Sequence, residues 1–165
     1  MSIDAIDAPA RPSRSAWMMI PPPPLFVAAF FAGLGLDRVV PLPLPAAAVG
    51  AARVAGLALL AFAALLIVGA VWLFVRHWTT IIPHGTARTI VTAGPYRLTR
   101  NPMYVALAAA YLGAALLCGT LWPLAPLWLP LWVLDRRTIP FEEATLERRF
   151  GAEYRAYRQR VRRWI

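Results

Sequence analysis

The chain has 165 residues, the length of a single domain. Hydrophobic residues make up 59% and charged residues 15%, with a mean hydropathy of +0.56; this excludes an ordinary soluble protein and fits an all-α integral membrane one. The net charge of +9 is carried by arginine alone, and because those arginines flank apolar spans, retention at the cytoplasmic face and contact with anionic lipid explain them without a nucleic-acid partner.

Residues 1–16 are polar, with Asp4, Asp7, Arg11 and Arg14, and read as a disordered cytoplasmic tail ahead of one membrane domain, 17–165. They make a poor signal peptide, since the charges are mixed and a proline run precedes the apolar part. Pro24 can begin a helix that Pro21–Pro23 cannot continue. A first transmembrane helix is predicted over about 22–38. It is short for a full crossing unless Trp17–Ile20 or Val39–Val40 extend it, and Asp37-Arg38 ends it. Pro41-Leu42-Pro43-Leu44-Pro45 is a rigid extended connector.

The second span, about 50–75, is the clearest. Its stretch from Val54 to Val75 has no charge and is about 33 Å long at 1.5 Å per residue. Arg76, His77 and Trp78 close it as interfacial anchors. His77 and His84 have no Cys or carboxylate at metal spacing, so no metal site is expected. The single Cys118 offers no disulfide framework and reads as a small packing residue. From Pro102 to Leu134 the chain is uncharged again. That suits a tight hairpin of two short helices, about 102–118 and 121–137, broken at Gly119-Thr120 and Pro123. Of the seventeen arginines only Arg38 and Arg53 fall on the outer side, which fits four crossings with both termini cytoplasmic.

Between the second and third spans lies Gly94-Pro95-Tyr96-Arg97-Leu98-Thr99-Arg100-Asn101-Pro102-Met103-Tyr104. Asn is a favoured N-cap and Pro a favoured first helical residue, so the third helix should begin here. Arg100 and Tyr104 then sit at its cytoplasmic mouth, within reach of a polar cofactor. A plain basic loop capping a membrane helix accounts for Asn101 and Pro102 equally well.

A C-terminal cytoplasmic helix is predicted over 140–164. Leu146, Phe150, Tyr154, Tyr157, Val161 and Trp164 recur at helical spacing and form one face. Arginines fill the rest, Gly151 is a possible break, and the segment should lie in the membrane interface or fold over the bundle. Pro140 places Glu142 and Glu143 in the first turn, where the helix dipole favours an acid by about 0.3–1 kcal/mol. Adjacent residues on a helix point about 100° apart, so at most one of the two can face a given ligand.

Gly-Pro-Tyr-Arg at 94–97, Arg-Asn-Pro-Met-Tyr at 100–104, Glu142-Glu143 followed by Leu146, and Phe150-Gly151-x-x-Tyr154-x-x-Tyr157 come in this order. The set resembles the isoprenylcysteine carboxyl methyltransferase family of integral membrane methyltransferases, with the phospholipid N-methyltransferases as relatives. The resemblance spans roughly 41–165 and looks like that of a bacterial member. Asn101 stands where eukaryotic carboxyl methyltransferases carry His, which weakens the inference to a prenylcysteine substrate.

The resemblance implies methyl transfer from S-adenosylmethionine to a lipophilic carboxylate or amine, at the cytoplasmic face of a bacterial inner membrane. The implied cofactor site is Gly94, Pro95, Tyr96, Arg100, Asn101, Pro102, Tyr104, and Glu142 or Glu143. Tyr154 and Tyr157 would cover it, and Arg100 and Glu143 are the residues expected to carry the chemistry. The cofactor's carboxylate would pair with Arg and its ammonium with Glu. Two other classes fit the residues: an NADPH-dependent reductase resembling the steroid 5α-reductase group, and a non-catalytic membrane protein that holds anionic lipid through its basic helix.

Overall fold

The computed structural model describes residues 21–76 and 90–165. The expected tail 1–16, the extension Trp17–Ile20, and His77, Trp78 and His84 lie outside the described residues. The described chain is helical, without a named strand. Its elements are α1 (Pro22–Val39), α2 (Ala46–Arg76), a 3-10 turn (Gly94–Arg97), α3 (Pro102–Cys118), a second 3-10 turn (Trp122–Leu124), α4 (Trp128–Val133), a π turn (Leu134–Thr138), α5 (Ile139–Phe150) and α6 (Ala152–Arg160).

Among the described residues α2 is the helix long and apolar enough to cross a membrane, over Ala46–Leu73 at a mean hydropathy of 2.7. Its most apolar stretch is only 22% buried inside the molecule. The side chains of Val54, Leu57, Leu65, Val68 and Val75 point outward, as a bilayer would allow and water would not. α3 is a shorter apolar helix. It packs along α2 because both are stripped of side chains at the crossing. A Cβ at Gly113 would lie 2.8 Å from the Gly56 carbonyl oxygen, and one at Gly56 would lie 2.9 Å from that of Gly113. Ala63, Leu66, Val105, Ala106 and Ala109 fill the seam. Phe26 and Ala29 of α1 meet Tyr111, Leu127, Leu134 and Ile139 in a second buried cluster.

One end of the bundle is fastened by the proline connector. Leu44 N–H donates to Gly119 C=O (2.8 Å) and Leu121 N–H to Leu42 C=O (3.0 Å). The Asp37 carboxylate accepts from Leu42 N–H (3.0 Å) and from the Thr120 hydroxyl (2.7 Å). Prolines supply no N–H, so this acid and this hydroxyl complete the pairing at the turn.

Two expected elements differ in the structure. The segment 121–137 is not one helix but a 3-10 turn, a turn, α4 and a π turn. Pro123, Pro126 and Pro130 each lack an N–H and crowd the preceding turn, so a straight helix cannot form. The C-terminal helix does not run from 140 to 164. It follows the π turn without a free N-terminus, since Thr138 is itself helical (φ −66°, ψ −56°). Pro140 would clash with the carbonyl four residues back, and the widened turn just ahead of it relieves that clash. The helix then breaks at Gly151 (φ 50°, ψ −118°), a conformation that favours glycine. It ends at Arg160, after which Val161 is extended.

Candidate functional site

The site lies at the opposite end of the bundle from the proline connector. The Gly94–Arg97 turn rests on α2, with the Pro95 ring against Gly69 and Gly94 against Leu73. Asn101 precedes α3 as expected, but its side chain does not cap the helix. Its backbone carbonyl accepts from Tyr104 and Val105 N–H (both 3.0 Å), while its amide donates to Arg163 C=O (3.0 Å). The N-cap position is therefore used to tie down the C-terminus. Pro102 at the first helical position is fully buried.

α5 and α6 fold back over this turn. Glu142 accepts a 2.6 Å hydrogen bond from the Tyr104 hydroxyl. Glu143, 7% exposed, faces the other way. Its Oε1 takes Arg100 Nη2 at 2.9 Å and Arg163 Nε at 3.2 Å, and its Oε2 takes Arg163 Nη2 at 2.8 Å. The two glutamates thus diverge, as adjacent helical positions must. Tyr154 and Tyr157 are buried, and the Tyr157 hydroxyl donates to Tyr96 C=O (2.7 Å), joining α6 to the 94–97 turn. Every residue expected at the site therefore comes from the 94–104 stretch or from α5 and α6, and these two parts of the chain meet.

Burial pushes the Glu142 carboxyl above its ordinary value; the Tyr104 hydrogen bond opposes that, and the charge of Glu143 adds to it. Burial raises Tyr96 and Tyr157 as well, and raises Tyr154 to about 12, so all three remain neutral hydroxyls at physiological pH. Arg100 is the exception to an otherwise satisfied cluster. Its side chain is 9% exposed, Nη1 reaches Arg158 C=O (3.4 Å), and Nε is buried without a partner among the described residues.

Open volume lies beside the cluster rather than between Arg100 and Glu143. A groove of about 580 Å³ runs between α2 and the turn, lined by Trp72, Leu73, Arg76, Gly94, Pro95 and Arg97. That volume suits a small molecule or part of a lipid. Among the described residues no group of His, Cys, Asp and Glu stands close enough to hold a metal ion.

Four members of the cluster escape sequence reasoning: Thr99, Asp135, Arg163 and Trp164. The Thr99 hydroxyl donates to Arg163 C=O (2.8 Å). Asp135 accepts from Arg163 Nη1 (3.2 Å) and from the Trp164 indole (3.1 Å). Trp164, expected on the apolar face of a helix running to 164, lies instead beyond the end of α6 and packs against both buried clusters. One signal was available: Asp135 is the only acid between Asp37 and Glu142.

Comparison with known proteins gives one family and two relatives. The family profile described as phospholipid methyltransferase matches residues 51–153. The probable protein-S-isoprenylcysteine O-methyltransferases of Oryza sativa subspecies indica and japonica are each 38% identical over 73 residues, which is 44% of this chain. The match covers 38% of the length of those relatives. No solved structure matches.

Proposed function

The chain belongs to the phospholipid methyltransferase family, and on that premise we propose that it transfers a methyl group from S-adenosylmethionine to a lipophilic acceptor at the cytoplasmic face of a membrane. α1, α2, α3 and the run 122–138 would cross four times, with both chain ends on the arginine-rich side. The observation that carries the cofactor reading is the buried Nε of Arg100, which has no partner among the described residues. A buried cationic donor without an acceptor is costly, and an arriving carboxylate relieves it.

Arg100 would orient the cofactor's carboxylate and Glu142 its ammonium. Glu142 suits that task better than Glu143, whose two oxygens are already taken by two guanidiniums. Glu143 then serves by holding Arg100. Gly94, Pro95, Tyr96, Asn101, Pro102 and Tyr104 would form the floor, with Tyr154 and Tyr157 as the cover that keeps water out. When bound, S-adenosylmethionine supplies an electrophilic methyl on a sulfonium, which passes to the acceptor in one in-line displacement. Charge disperses in such a step, so alignment and dryness are the main contributions asked of these residues. A carboxylate acceptor needs no base. An amine must lose a proton, for which a glutamate or a tyrosine of the site is the candidate base.

The groove beside Pro95, lined on one side by Trp72 and Leu73 of α2, would give the acceptor a route from the bilayer separate from the aqueous side. Mass spectrometry of the purified protein tests the reading: co-purified S-adenosylhomocysteine is expected, and a bound nicotinamide dinucleotide in its place would overturn it in favour of a reductase.

A further inference from the structure

The last residues do not continue α6. From Val161 (φ −122°, ψ 133°) the backbone extends past the start of α3. What it offers there is committed to the site. Arg162 C=O accepts from Arg100 N–H (2.9 Å), and Arg163 C=O accepts from both the Thr99 hydroxyl and the Asn101 amide. The Arg163 guanidinium forks onto both oxygens of Glu143 and turns its remaining Nη1 to Asp135 Oδ1 (3.2 Å). Glu143 Oε1 in turn holds Arg100 Nη2. Charges therefore alternate without a gap through Asp135, Arg163, Glu143 and Arg100, and the row ends at the guanidinium whose Nε has no partner among the described residues.

We infer that Arg163 is a positioning residue: it locks Glu143, which fixes the Arg100 guanidinium with Nε turned to receive the cofactor's carboxylate. This rests on the cofactor reading above. The fork matters as much as the charge, because two parallel N–H···O contacts set the plane of the Glu143 carboxylate. Lysine at 163 would keep the charge and lose the plane. The neighbouring guanidiniums are differently placed: those of Arg155 and Arg158 meet Glu147, at 3.7 and 3.6 Å on the surface, where ion pairs contribute little.

The test is equilibrium binding of S-adenosylmethionine and of its decarboxylated analogue to the full chain in lipid nanodiscs. The parental protein should prefer the carboxylate-bearing compound by at least about tenfold, the effect of one charge-assisted hydrogen bond. In Arg163→Lys and Arg163→Ala that preference should collapse to within about threefold, with affinity for the decarboxylated analogue unchanged. The Lys variant carries the test if the Ala variant does not fold. Equal loss for both compounds would reduce Arg163 to a general structural part, and an unaltered preference would overturn the inference outright. Arg100→Ala run alongside separates the two levels. Lost preference there but not at 163 refutes only the positioning role, whereas preference retained in all variants removes the cofactor site itself.

Discussion

Replacing Tyr104 with Phe removes one oxygen and leaves the ring in its place against the α1–α3 cluster. The lost contact is the 2.6 Å hydrogen bond to Glu142. A hydrogen bond to a charged acceptor is worth about 1.5–3 kcal/mol, so its loss disfavours the ionised Glu142 that pairs with the cofactor's ammonium, and binding should weaken by up to about one to two orders of magnitude at pH values where the carboxyl of Tyr104→Phe is protonated and the parent's is not. The pH dependence carries a second sign. Burial holds the Glu142 pKa above its ordinary value and the Tyr104 bond pulls it back, so the variant's pKa should rise further. Cofactor affinity should fall on acidification, with the onset above the ordinary glutamate range, and at higher pH in Tyr104→Phe than in the parent. Stability runs the other way: a carboxyl whose folded pKa is raised contributes stability at low pH that is lost as pH rises through that value. Calorimetric titration with S-adenosylmethionine across about pH 5 to 8, with denaturation of the ligand-free protein over the same range, reads both. Equal affinity at neutral pH, together with an unmoved acid limb, would refute the reasoning.

Glu142→Gln should weaken cofactor binding while leaving the Arg100–Glu143–Arg163 row intact, as seen by unchanged thermal stability near neutral pH. Glu143→Gln should weaken binding and also lower the melting temperature, because it leaves two guanidiniums around a neutral amide; breaking a buried pair costs about 3–5 kcal/mol. Gly113→Ala should destabilise by about 1–3 kcal/mol in a melt in detergent, since its Cβ would press on the Gly56 carbonyl, whereas Gly50→Ala meets nothing and should be neutral or slightly stabilising. Deleting Val161–Ile165 should expose the 99–101 stretch to limited proteolysis, because Thr99 and Asn101 lose the carbonyl that holds them.

What the sequence disclosed was local, and what it hid was tertiary. Pro102 marks the start of α3 because proline's fixed φ and missing N–H suit only that position. The break at Gly151 follows from a backbone only glycine adopts easily. Pro126 and Pro130 carried the same kind of warning about 121–137, and a single helix there gave them too little weight. Which glutamate faces which partner depends on the rotation of α5, set by the π turn ahead of Pro140, and no composition pattern records that. Arg163 could not be told from its neighbours by type or spacing, because its role comes from an extended strap and from Asp135, twenty-eight positions away in sequence. Trp164 misled for the same reason: its period matched a helix that ends before it.

The central claim is that 94–104 and 142–157 enclose one site for an adenosyl amino acid. Equilibrium titration of the nanodisc-embedded protein with labelled S-adenosylmethionine addresses it directly, beside Arg100→Ala and the inert Gly50→Ala. Saturable binding in the parent and in Gly50→Ala, lost in Arg100→Ala, is the predicted result. No saturable binding by the parent, or binding indifferent to Arg100, would contradict the account.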